Sequence, residues 1–243
     1  MSSVIVHKPL ASFFMYLLTI LMSFIVIYLL LWSSGKVFMS LGLNPRLVSL
    51  IIFASLFGSF INIPIYKYTL DEEIILTINY VNFYGIIYPI PSFEKVKNKS
   101  VLAVNLGGAV IPVLTSLYLS YKLFTLEFDA LVPLLISIIV ASFVIHIYAK
   151  PIPHLGIAVP TFIPPFISMT LALFWGYLGF NKSIMLTIAY VSGTLGALIG
   201  ADLANLNKIR TFKSPMVSVG GAGTFDGIFL SGLLAVLFTD LLA

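Results

Sequence analysis

The chain has 243 residues, of which 60% are hydrophobic and only 9% charged, with a formal net charge of +4. A soluble domain carries roughly 25% charged residues, so a surface this poor in polar groups excludes life in water and requires lipid as the surrounding solvent. The charges are scattered, which excludes a nucleic-acid footprint, and the absence of Cys excludes disulfides and thiolate chemistry.

The fold class this predicts is an all-α polytopic bundle of about seven transmembrane helices, with spans near 10–32, 47–66, 101–121, 130–149, 159–179, 184–204 and 217–243. Barrel strands alternate over about ten positions, whereas these runs are continuously apolar. The first run is longer than a signal-peptide core and lacks a small-residue cleavage site, so it reads as a helix.

Nine basic residues fall on one side of this topology: Lys8, Lys67, Lys95, Lys97, Lys99, Lys150, Lys208, Arg210 and Lys213. Four (Lys36, Arg46, Lys122 and Lys182) fall on the other. The excess predicts a cytoplasmic N-terminus and an extracytoplasmic C-terminus. The segment 67–100 is the one sizeable piece outside the spans. Its β-branched and aromatic run Ile74–Tyr84, followed by Gly85, Pro89 and Pro91, predicts a short β-rich cytoplasmic loop. A segment lying in the headgroup belt is the alternative. The echo between 106–112 and 155–160 hints at an internal repeat. Lack of Gln as well as Cys fits a thermophilic source.

Ionisable residues inside spans are the informative ones, because each costs about 2.5–3.5 kcal/mol at mid-bilayer. Asp202 in the sixth span and Asp226 in the seventh meet this description, each in glycine-rich sequence. Gly193, Gly196 and Gly200 share one helical face suited to close packing. At about 100° per residue, Asp202 projects from the opposite face with Val191, Leu195 and Leu198. Two carboxylates on adjacent antiparallel spans form a candidate dyad able to share a proton and activate water. Proton or cation coupling is the second reading. A structural one pairs Asp202 with Lys208 or Arg210 and puts Asp226 in a helix turn capped by Thr224.

Asn62 and Asn105 are candidates for inter-helix hydrogen bonding or for lining a solute path. Pro160, Pro164 and Pro165 break or start the fifth span, and an unwound binding segment is the sharper alternative. Gly221, Gly223 and Thr224 complete the candidate binding set. His146 and His154 flank Lys150 without matching carboxylates, so no metal is expected, nor any other cofactor. The expected partners are the bilayer and a membrane-embedded peptide or small solute.

Six stretches together resemble a prokaryotic membrane-protein family of unknown function, domain of unknown function 1614. They are Gly58–Pro64, Tyr84–Pro91, Val104–Pro112, Gly156–Pro165, Gly200–Asn205 and Gly220–Gly227. The stretch Gly221-Ala-Gly-Thr-Phe-Asp226 also loosely resembles the Gly-x-Gly-Asp motif of presenilin-type and prepilin-type aspartyl proteases, with the Asp set further along the chain. That resemblance implies an intramembrane protease using Asp202 and Asp226.

Overall fold

The computed structural model describes residues 31–69, 73–83, 86–96, 99–152, 156–211, 216–221 and 227–243, with positions 17, 18, 20, 21 and 28. Most of the first predicted span, and with it the reading of its N-terminal side, lies outside these residues. So do Gly223, Thr224 and Asp226.

The described chain is mostly helical. Helices occupy residues 31–40 (α1), Pro45–Gly58 (α2), Ile111–Leu126 (α3), Leu131–Tyr148 (α4), Ile163–Tyr177 (α5), Lys182–Ala197 (α6) and Gly227–Leu242 (α7). Their starts follow local chemistry. Asn44 caps α2 by accepting from the Leu47 amide at 2.8 Å, and Pro45 follows at a position where a missing N–H costs nothing. Asn181 caps α6 in the same way through the Ile184 amide. Pro164 and Pro165 sit in the first turn of α5, so they start that helix without kinking it.

Three helical stretches, Leu106–Leu126, Phe128–Tyr148 and Lys182–Lys208, are long and apolar enough to cross a membrane. At 1.5 Å per residue, the 21-residue ones reach about 31 Å, the thickness of a hydrocarbon core. The outer face of α4 is apolar along its length, as contact with lipid would require. Val132, Leu135, Ile139, Phe143 and Ile147 recur at helical spacing, and every one is exposed, Ile139 at 67%. Its inner face carries Leu134, Ser137, Ala141 and Ile145, all buried.

α6 is the axis of the bundle, packed against α3, α4, α5 and α7. Its glycines set the spacing, but they serve two neighbours. A side chain on Gly193 would meet the Ser231 carbonyl of α7 at 3.0 Å, whereas one on Gly196 would meet Ala141 of α4 at 2.8 Å. Gly200 abuts the Ser142 carbonyl of α4. The predicted single packing face is thus divided, because a helix at the centre of a bundle has partners on opposite sides. Phe38 of α1 closes one end of the core, edge-on to Tyr190 at 5.6 Å and tilted against Phe229 at 6.3 Å.

The apolar runs 47–66 and 101–121 are not helical throughout. α2 stops at Gly58, and the chain turns into strand β1 (Asn62–Thr69). This strand pairs antiparallel with β4 (Lys99–Asn105), from Asn62↔Asn105 to Thr69↔Lys99. The register shifts between Pro64 and Tyr66, a bulge beside a residue with no N–H to offer the ladder. Between β1 and β4, strands β2 (Glu73–Phe83) and β3 (Ile86–Val96) form an antiparallel hairpin. A small hairpin, β5 (Lys150–Ile152) with β6 (Gly156–Ala158), joins α4 to α5. Strand β7 (Met216–Val219) returns from the far end of α6 and pairs parallel with β4, giving the order β1-β4-β7.

Candidate acidic site

Asp202 owes its position to an irregularity. After Ala197 the helix widens to a π-turn, Leu198–Asp202, and then tightens to a 3-10 stretch, Leu203–Thr211. A π-turn inserts a residue into the helical repeat, and such turns concentrate at functional sites. Asp202 therefore does not line up with Leu195 and Leu198 as an uninterrupted helix predicts. It lines a cavity of about 210 Å³ together with Ala197 and Ala201 of its own helix, and with Thr161, Pro164 and Ser231.

The carboxylate is half-buried, and its Oδ2 accepts from the Gly220 amide at 3.3 Å. Gly220 holds a left-handed φ of +68°, and a side chain there would meet the Ala109 backbone nitrogen at 2.8 Å. Only glycine serves at this position. Gly227, which also lines the cavity, is the residue directly after Asp226 in sequence.

Asn62 and Asn105 meet a short way along the sheet. Asn105 is 1% exposed and fully engaged: its Nδ2 donates to the Ser59 carbonyl at 2.7 Å and to Asn62 Oδ1 at 3.1 Å, and its Oδ1 accepts from the Gly108 amide at 2.8 Å. Asn62 Oδ1 also accepts from Ser218 Oγ of β7 at 2.6 Å. Gly221 packs against the Ser218 side chain so closely that a Cβ would collide with it. These bonds tie the end of α2, the second π-turn (Leu106–Val110) and β7 into one junction, and β7 leads from that junction to Gly220 and Asp202. Asn105→Ala strands the Ser59 carbonyl and the Gly108 amide. The expected cost is about 2–3 kcal/mol, read as a lower melting temperature in detergent.

Of the residues singled out from sequence, Asp202 and Pro164 share the cavity, while Asn62, Asn105 and Gly221 gather around Ser218. Pro165 is buried in the first turn of α5. Sequence reasoning passed over Ser218, Thr161 and Ser231, whose hydroxyls are ordinary in any helix or strand, and it gave Gly220 no separate role. His146 faces the Gly200 carbonyl, with Nδ1 at 3.3 Å. Among the described residues no three His, Asp or Glu side chains assemble as a metal site.

Three helices of membrane-crossing length and an apolar outer surface point to the membrane-associated class of helical proteins. The chain belongs to the family described as protein of unknown function DUF1614, which matches residues 56–238. No curated protein and no solved structure matches it.

Proposed function

We propose that this is a multi-pass integral membrane protein of about seven spans, N-terminus cytoplasmic and C-terminus outside, that works as an intramembrane aspartyl protease through Asp202 and Asp226. The carrying observation is that Asp202 lines a cavity with Gly227, the residue following Asp226. In this reading one carboxylate takes a proton from water, whose oxygen attacks the peptide carbonyl. The other, protonated, gives its proton to the carbonyl oxygen. Collapse of the tetrahedral intermediate then breaks the C–N bond, with a proton passing to the leaving amine.

Two features support the assignment. Hydrolysis needs an extended peptide, and β7 is an edge strand that ends one residue before Gly220, the partner of Asp202. At Gly220 and Gly221 a side chain would collide with Ala109 and Ser218, so the backbone beside Asp202 is bare. The segment 67–100 lies on the cytoplasmic side in this topology.

A second reading, a proton- or cation-coupled carrier or channel with Asn62 and Asn105 along its path, draws on the broken helix at Asp202, since interrupted spans are where carriers bind ions. One preparation separates the two. Protein reconstituted in liposomes with a panel of single-span peptides is expected to yield new termini by mass spectrometry, and a hydroxyethylene mimic of the tetrahedral intermediate should block their appearance. Intact peptides, together with ion uptake that Asp226→Asn abolishes, would transfer the site to transport.

A further inference from the structure

The π-turn that aims Asp202 is held from outside the turn. Widening a helix and then tightening it takes backbone carbonyls out of their usual pairing, and buried carbonyls need donors. At this point two of the carbonyls are met by side chains. Asn205, fully buried, gives its Nδ2 to the Ala201 carbonyl at 2.8 Å. His146, from the last turn of α4, places Nδ1 3.3 Å from the Gly200 carbonyl. Lys208 fixes the amide's orientation: its ammonium has only protons to offer and lies 2.8 Å from Asn205 Oδ1, so Nδ2 must face the carbonyls. Gly200 contributes by letting α4 come close enough for His146 to reach, since its own side-chain position is filled by the Ser142 carbonyl.

We propose that Asn205 and His146 are the positioning residues of the acidic site: they clamp the π-turn and so keep the Asp202 carboxylate turned into the cavity. Without their donors the segment relaxes toward a regular helix. Removing the inserted residue from the repeat then swings position 202 by about 100°, away from Thr161 and Ser231. The inference takes Asp202 as the working acid but makes no use of a substrate.

The chain has no Cys, so a single introduced thiol reports on its own position. Asp202→Cys in the full chain, reconstituted in liposomes, is labelled with a water-soluble methanethiosulfonate. Thr161→Cys, in the same cavity but on the approach to α5, is the control. Asn205→Leu and His146→Phe are each expected to slow labelling of the thiol at position 202 by about tenfold. The control should keep its rate, and His146→Gln, which retains a donor, should restore labelling at position 202. Unchanged labelling there in Asn205→Leu overturns the proposal. So does an equal fall at both positions, which marks general collapse in place of a local turn. Because labelling is blind to peptide cleavage, its outcome stands apart from that of the protease assay.

Discussion

Replacing either Asp202 or Asp226 with asparagine is expected to end peptide hydrolysis, with a loss of at least about 10³-fold for each single variant. Asparagine matches aspartate in size and keeps an acceptor oxygen, so the Gly220 amide retains a partner and the fold should survive. What disappears is the capacity to hold and release a proton. A dyad needs one ionised and one protonated member, so neither single variant can complete the cycle, and the double variant should be no worse than either alone. Product formation in liposomes, measured with melting temperature as a control for folding, checks this. Retained cleavage in Asp202→Asn would remove Asp202 from the chemistry.

The second large effect is structural. Gly107 sits in the π-turn that precedes α3, pressed against the end of α2. A methyl group there would collide with the Ser55 carbonyl, the Ser59 amide and the Gly58 backbone, all main-chain atoms that cannot rotate aside. The reciprocal side chain on Gly58 would meet the Gly107 nitrogen at 3.0 Å. Ser55 Oγ also donates to the Gly107 carbonyl at 2.6 Å, so moving the turn outward breaks a buried bond as well. Gly107→Ala should therefore cost about 3 kcal/mol or more, a fall in melting temperature of about 10 °C in detergent. Gly35, which has open space where its Cβ would stand, is the matched control and should tolerate alanine.

Asp202 could be found from sequence because a carboxylate in an apolar run is expensive, and that cost is independent of how the helix is wound. Its direction could not be found. The helical wheel assumes a constant 100° per residue, and the π-turn breaks that assumption four residues before the carboxylate. Close packing of α6 was legible in the spacing of Gly193, Gly196 and Gly200, but its division between α4 and α7 was not, since spacing says nothing about which neighbour lies where. The junction at Asn62 and Asn105 was half-visible. Two amides among apolar residues pointed to hydrogen bonding, but their link to Ser218 crosses most of the sequence and leaves no periodic trace. The apolar runs through 62–66 and 101–105 read as helix because a short, continuously apolar strand joined to an apolar helix looks like the rest of one span, and β1 keeps Ile63, Ile65 and Tyr66 exposed as a lipid-facing helix end would.

The parallel pairing of Val101 with Met216 and Val104 with Val219 also dictates the order of events during biosynthesis. When β4 leaves the ribosome only β1 is there to pair with it, and α3, α4, α5 and α6 must all be made before β7 arrives. Contacts this distant in sequence form late. The acidic chamber is thus the last thing the nascent chain completes, and a product truncated before residue 216 carries Asp202 without the backbone amide that receives it.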